Sequence, residues 1–189
     1  VDLTVQVAYG TNLRQALGPE AHRLRTPTPR TLRLDLTGAL ADVVEFDRAT
    51  AGGRWDDAVR HYRGALLPGC VEEWANAERT AREQAYLNAL EALAARCRAD
   101  GDPAASVAWL RQLVAADPYR ESAHASLMQA LADAGDTAAV TVVYQELRAR
   151  LRQDLNASTA AQTEALYRQL SQPRPTAPPP PVAAAPSRR

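Results

Sequence analysis

The first fifth of the chain collects cationic side chains that could bind phosphate. Between Asn12 and Leu34 there are five arginines and one acid, Glu20, so this stretch carries a formal charge of +4 (five less one). The arginines are Arg14, Arg23, Arg25, Arg30 and Arg33. Guanidinium groups bind phosphate through paired N–H donors, and the affinity falls as salt rises. The residue types predict contact with nucleic-acid phosphates, and any contact with a base edge would come from near Asn12.

A helix and a hairpin are predicted to carry these arginines. The helix "TNLRQALG" ends at Gly18, a residue type that favours helix termination. The following "HRLRTPTPRTLRLDL" predicts two short strands around a "TPTPR" turn, because Leu32, Leu34 and Leu36 alternate with polar residues. The alternative interpretation is an ordinary basic surface packed on the rest of the protein.

Side chains for catalysis or metal binding are not grouped in the sequence. His22, His61 and His124 lack a ligand spacing, and no glycine-rich phosphate loop or nucleophile motif occurs, although a catalytic triad assembled only in space leaves no such trace. The prediction is a protein that is not an enzyme and that has no catalytic residues, metal or cofactor. Cys70 and Cys97 stand in no metal-binding pattern and are predicted to be buried, reduced thiols.

Overall charge and hydropathy narrow the class of protein further. Basic and acidic residues number 22 each, so any attraction to nucleic acid must be local. No apolar run approaches the roughly 20 residues of a membrane span, and no signal peptide is recognisable, so we expect a cytoplasmic protein without membrane contact. The three tryptophans at 55, 74 and 109 are predicted to be core anchors rather than base-stacking platforms.

From Leu40 to Leu170 the apolar residues recur at helical spacing. Asp102–Pro103 and Asp117–Pro118 each predict a helix start, with an acceptor at the N-cap and proline in the first turn. Thr159 and Gln162 predict a capping box before the last helix. The predicted helices are 39–51, 54–66, 72–99, 103–116, 119–134, 137–153 and 159–171.

An internal repeat begins at Gly53, Gly101 and Gly135. Small or apolar residues follow each glycine at five, nine and twelve positions, and the last two glycines are 34 residues apart, which is the tetratricopeptide period. The first interval is longer and indicates an irregular insertion. The expected fold is mainly α: a tetratricopeptide-like helical-repeat domain of about seven helices, preceded by a short β-hairpin.

The last segment, "SQPRPTAPPPPVAAAPSRR", holds seven of the 13 prolines and almost no large apolar residue. Residues 172–189 are therefore predicted to be an extended, disordered linker. This composition is compatible with a further domain after the segment and also with a simple tail.

Several blocks occur in an order that resembles one family. They are "NLRQALG", "RTLRLDL", "VVEFDRA", "YRGALLPG" with "EEWANAER", the long block "AADPYRESAHASLMQALADAGDTAAVTVVYQELRARL" and the end "DLNASTAAQTEALYRQL". The order is similar to the junction between the winged helix and the bacterial transcriptional activator domain in the Streptomyces antibiotic regulatory protein family. Phe46 and Trp74 match that family's aromatic positions. Asn156 stands in place of its usual glycine.

The resemblance implies a domain order and a function. Residues 1–37 would be a partial winged-helix remnant, consisting of the end of the recognition helix and the wing, residues 38–171 the activator domain, and residues 172–189 the linker. The implied function is promoter activation by a bacterial DNA-binding regulator, through recruitment of RNA polymerase and self-association of the repeats. DNA binding would require the complete winged helix, since only six residues precede Val7. For residues 1–11 a strand and a helix fit equally well.

Two other functions remain compatible with the sequence. One is a tetratricopeptide adaptor that binds a protein partner and not DNA. The other is a regulatory module of a larger ATP-hydrolysing regulator. The target genes, the signal sensed and the oligomeric state have no signature in the residues.

Overall fold

A computed structural model describes residues 2–4, 8–28 and 31–172, with side chains from residue 11 onward. The chain divides into two compact units, 1–86 and 87–189. The predicted linker lies outside the described residues, except for Gln172.

The first unit opens with a small antiparallel sheet. Its strands are β1 (Asp2–Thr4), β2 (Leu24–Thr28) and β3 (Thr31–Leu34), in the order β1-β3-β2. The predicted hairpin is confirmed, and β1 adds a third strand that pairs with β3. Between β1 and β2 lies helix α1 (Ala8–Leu17), so the N-terminal stretch contains both a strand and a helix. The predicted stop is also confirmed, because Gly18 has φ +50° and a 3-10 turn follows it.

Three helices complete the first unit: α2 (Asp42–Ala51), α3 (Trp55–His61) and the beginning of α4 (Glu73–Ala99). The prediction of a helix over 54–66 is wrong at its C-terminal end. The chain leaves the helix at Tyr62, and Gly64 has φ +117°, a conformation outside the helical region. Arg79 of α4 fixes the loop between α3 and α4. Its guanidinium donates to the carbonyl oxygens of Leu66, Leu67 and Cys70 at 3.0–3.1 Å.

Aromatic packing and one ion pair bring the helices of this unit together. Phe46 is 2% exposed and lies 5.5 Å from the ring of Tyr62, which stacks on Tyr86 at 4.0 Å. Arg82 of α4 forms a two-pronged pair with Asp47 of α2, at 3.1 and 2.8 Å. The ion pair with Asp47 also raises the pKa of Arg82. One tryptophan prediction is wrong: Trp74 is 50% exposed, because it lies in the first turn of α4 beside the loop and outside the core.

The second unit is built from helices, of which α6 packs against α5 and α7, and α8 packs against both α6 and α7. They are the remainder of α4, then α5 (Pro103–Ala116), α6 (Glu121–Asp133), α7 (Thr137–Leu155) and α8 (Ala161–Ser171). The repeated glycines are turn residues, as predicted. Gly53, Gly101 and Gly135 all have positive φ, at +66°, +77° and +83°. Positive φ favours glycine because a side chain would be strained there.

The position five residues after each glycine is fully enclosed. Ala58, Ser106 and Val140 are 0%, 1% and 0% exposed. The Ser106 hydroxyl donates to the Ala94 carbonyl at 3.0 Å, so its burial leaves no polar group without a partner. The twelfth position is buried in the second and third repeats and exposed at Ala65 in the first, because α3 has ended by then. The core of the second unit contains Leu90, Leu93, Leu113, Met128 and Leu147.

Of the two aspartate caps predicted before a proline, the one at Asp102 is confirmed and the one at Asp117 is wrong. Asp102 caps α5 by accepting from the Ala105 N–H at 2.9 Å, as predicted. Asp117 and Pro118 instead lie in a turn, in which the Asp117 carboxylate accepts from the Tyr119 N–H at 3.4 Å. Helix α6 therefore begins only at Glu121, four residues after the predicted cap.

The last helix begins through a long-range contact rather than the predicted capping box. Its N-cap is Ala160, which has no side-chain acceptor. Glu121 of α6 supplies the acceptor instead, taking the Ala160 N–H at 2.9 Å and the Thr163 hydroxyl at 2.8 Å. The turn before it depends on Asn156, whose φ is +49°, a conformation that asparagine tolerates better than other residues with a β-carbon.

Replacing Glu121 by alanine is expected to destabilise the protein by about 1–2 kcal/mol, because an N–H and a hydroxyl both lose their acceptor. Urea unfolding measures the change. Glu146→Ala is the matched control, since Glu146 is an exposed helical acid without a hydrogen bond or ion pair among the described residues. Equal losses in the two variants would show that Glu121 does not hold the start of α8.

Burial of His124 predicts a loss of stability on mild acidification. The imidazole is 2% exposed, and burial lowers its pKa below the ordinary 6.5. The Arg120 carbonyl, Glu146 and Asp117 oppose this shift, while Arg150 adds to it. Because the folded-state pKa is lowered, the stability is complete above pH 6.5 and declines below it, as the unfolded chain takes up a proton first. Urea titrations between about pH 7.5 and about pH 5.5 should show this slope, and His124→Gln should reduce it. A variant with an unchanged slope would contradict the assignment.

Candidate nucleic-acid interface

The arginines predicted to bind phosphate lie on the helix and the sheet of the first unit. Asn12 and Arg14 are both exposed on α1. The Arg14 guanidinium donates to the Thr26 hydroxyl at 2.7 Å, so this side chain connects α1 to strand β2. Arg30 lies outside the described residues.

Strands β2 and β3 place two of the arginines side by side. Arg25 and Arg33 are direct cross-strand partners and both are exposed, while the neighbouring Leu24 and Leu32 are 8% and 7% exposed. The alternation of a strand therefore turns the leucines inward and the arginines outward. Directly opposed like charges destabilise a hairpin. Asp35 offsets part of this repulsion, because its carboxylate lies 2.8 Å from the Arg25 guanidinium.

The Arg23 guanidinium, unlike that of the more exposed Arg25, is bonded to several groups of the protein. It pairs with Glu20 and donates to the carbonyl oxygens of Asp35 and Thr37, at 3.3 and 2.7 Å. Its side chain is 27% exposed, against 67% for Arg25. The structure therefore places Arg23 as an anchor between the start of β2 and the segment that leaves β3.

Asp35 lies between the anchor and the exposed pair. The hydroxyl and backbone N–H of Thr37 are the main causes that lower the pKa of Asp35 below 3.8, and the charges of Arg25 and Arg23 lower it further. The carboxylate is therefore ionised throughout the neutral range. It fixes the Arg25 side chain and leaves part of its guanidinium exposed to a ligand.

A groove of 560 Å³ runs beside the sheet and includes Arg48, which lies outside the basic stretch 12–34. The groove is lined by Arg25 and Arg33 of the sheet and by part of the segment 34–41. Helix α2 contributes Val44, Glu45 and Arg48. Arg48 is 67% exposed and pairs with Glu45 at 2.9 Å. The arginine count of residues 12–34 stops before Arg48, and only the fold brings α2 to the sheet. Three guanidinium groups thus converge on one groove.

Other kinds of site are not found among the described residues. Within ranges 2–4, 8–28 and 31–172, no group of three or more histidine, cysteine or acidic side chains could hold a metal ion. Over the same ranges, no helix combines the length and the apolar character needed to cross a bilayer. Cys70 and Cys97 are free thiols, as predicted, but both are half-buried rather than buried.

The helical part of the chain matches a family model. The model is described as "Bacterial transcriptional activator domain", and the match covers residues 31–171. The chain belongs to the bacterial transcriptional activator domain family. Its members are regulatory domains rather than catalytic ones, so this chain supplies the activator domain of a transcription regulator. No match among curated protein sequences reaches significance.

A solved structure shares the fold of this bacterial transcriptional activator domain. It is Mycobacterium tuberculosis EmbR in complex with low affinity phosphopeptide, with a TM-score of 0.55 and 24% sequence identity. The similarity covers 88% of this chain and 49% of that one, so the chain spans about half the length of this relative. At this identity the likeness establishes the helical-repeat fold alone.

Arg23→Ala is expected to lower the free energy of unfolding by about 1 kcal/mol, because two backbone carbonyls lose a charged donor. Urea unfolding and amide hydrogen exchange of β2 and β3 measure the loss. Arg60→Ala, which breaks only an exposed pair with Asp57, is the control and should change stability by less than about 0.5 kcal/mol. If Arg23→Ala is as mild as the control, Arg23 is not the anchor of the hairpin.

Proposed function

We propose that this activator domain works in a bacterial regulator that binds promoter DNA, with the basic sheet contacting the phosphate backbone. The observation that carries the proposal is the convergence of Arg25, Arg33 and Arg48 on one groove. Nucleic-acid backbones present regularly spaced phosphates, and exposed guanidinium groups on a strand pair can bridge them. Arg14 and Arg30 extend the same contact, and Arg23 holds the hairpin in place.

In this proposal α1 is the end of a recognition helix and the β2–β3 hairpin is the wing beside it. Residues 1–37 would then be the remnant of a winged helix. Asn12, exposed on α1, is the residue that would approach a base edge. Sequence-specific docking needs the other helices of such a fold, because they orient the recognition helix against the backbone. This chain alone is therefore expected to bind DNA weakly and without sequence preference.

The helical repeats would provide the protein contacts of the regulator, namely recruitment of RNA polymerase and self-association. The regulator would work in the cytoplasm. The feature that supports a protein-binding role is a groove of 670 Å³ in the second unit. Its lining includes the small residues Ala94, Ala95 and Ser106, with Glu91 and Arg98 at polar positions. The exposed Ala95 and Ala99 leave room for a partner segment. Glu91 and Arg98, which pair with Arg120 and Asp133 at 3.3 and 3.2 Å, can orient it.

The triple variant R25A/R33A/R48A tests the DNA contact. We expect it to weaken binding to a short duplex at low salt, measured by fluorescence anisotropy at about 25 mM and about 200 mM salt. Each phosphate contact contributes about −0.9 to the salt slope, so three lost contacts should flatten it by up to about 2.7.

The control for this experiment is R60A/R63A/R111A, which removes the same charge from exposed arginines elsewhere. Arg60 pairs with an acid three residues earlier, as Arg48 does, so the control reproduces the loss of that local pair, while the triple variant also loses the pair of Arg25 with Asp35. If both variants keep the same affinity and the same salt slope, the groove does not bind DNA. That result would favour the second candidate, a repeat adaptor whose partner occupies the groove of the second unit.

A further inference from the structure

A second polar pocket, in the C-terminal unit, carries arginines that no described residue neutralises. It has a volume of 480 Å³ and lies between α7, the loop 156–160 and the first turn of α8. Its lining includes Arg148 and Arg152, which are one helical turn apart on α7. Among the described residues neither makes a hydrogen bond or an ion pair. Like charges at this spacing destabilise a helix unless a counter-charge is present.

The loop side of the pocket adds hydroxyl groups. Ser158 and Thr159 line it, and within the described part of the chain neither hydroxyl has a hydrogen-bond partner. Two guanidinium groups and two hydroxyls therefore converge on one space. This donor set suits an oxyanion that accepts several hydrogen bonds at once.

The one acid in the pocket is already paired. Glu164 lies 2.6 Å from Arg168, so its charge is largely compensated by a residue outside the lining. The net charge facing the cavity is consequently positive. The pair with Arg168 reduces the repulsion between this carboxylate and an anion that enters the pocket.

Contacts within the unit hold the aromatic wall and the loop of the pocket. The Tyr144 ring lies 4.0 Å from the Tyr167 ring, with 3° between the planes, and connects α7 to α8. The loop is held at one end by the Ala157 N–H, which donates to the Leu151 carbonyl at 3.0 Å. At the other end Glu121 holds Ala160. The backbone of the site therefore needs little rearrangement, while the exposed side chains of Arg148 and Arg152 become ordered only when a ligand binds.

We propose that this pocket, formed by Arg148, Arg152, Ser158 and Thr159, is a binding site for a phosphate group. It lies in a different unit from the sheet groove and does not depend on the DNA contact proposed above. A phosphate dianion offers three acceptor oxygens, which matches the number and spread of donors better than a carboxylate does. Free phosphate, a mononucleotide and a nucleic-acid backbone share this chemistry.

The test is a titration of the 189-residue chain with inorganic phosphate, followed by ¹H–¹⁵N spectra. We expect saturable shifts at the amides of Ser158 and Thr159, beyond those caused by sodium chloride at the same ionic strength. R148A/R152A should weaken binding at least about tenfold, while R63A/R111A, with the same change in charge, should not. Thermal unfolding of both variants checks that each is folded.

Three results would overturn the proposal. They are no shift beyond that of sodium chloride, equal binding of phosphate and of succinate as a dicarboxylate, and equal affinity for phosphate in the wild type and R148A/R152A. Two further arms assign the source once phosphate binds. Competition by AMP indicates a small phosphorylated molecule, and a duplex affinity that falls in R148A/R152A but not in R63A/R111A indicates a nucleic-acid backbone. If AMP does not compete and the duplex affinity is equal in R148A/R152A and R63A/R111A, the ligand is free phosphate.

Discussion

The close approach of antiparallel helices after each reversing turn is the constraint on which the helical repeats depend. A glycine in the left-handed region reverses the chain, and five residues later a small or branched side chain must fit between two helices. Ala58, Ser106 and Val140 meet this requirement and are almost completely enclosed. Ser106 shows that the position can be polar if the hydroxyl reaches a carbonyl of the facing helix. The larger core residues can interlock only after this spacing is set.

Much of the helical architecture could be predicted because its signals are local or periodic. The turn glycines, the cap at Asp102 and the left-handed residue at Asn156 each follow from the conformational preferences of one or two residues. The errors occur where distant groups compete with a local rule. Asp117 prefers to close a turn with Tyr119, and the start of α8 is decided by a carboxylate 39 residues earlier in the chain.

In the candidate interface, too, the local features could be predicted from the sequence and the long-range contacts could not. Residue counting predicts a basic hairpin, and the alternation of leucine and arginine in "TLRL" predicts which side chains face outward. A count of arginines cannot distinguish Arg23 from Arg25. Arg23 donates to two backbone carbonyls, and Arg25 stays exposed. It also cannot bring in Arg48, because the groove exists only when α2 lies beside the sheet. Equal side chains thus acquire unequal roles through the backbone groups around them.

The contact from Glu121 to the start of α8 also affects how the second unit folds. A helix that begins without its own cap gains little from forming early, because its first N–H groups have no local acceptor. The start of α8 is fixed only when α6 is in place, because Glu121 accepts from the N–H of the N-cap Ala160 and from the Thr163 hydroxyl. Loss of α6 would therefore release α8, which also packs against α6 and α7. The end of this domain should behave as part of one cooperative unit rather than as an appended helix.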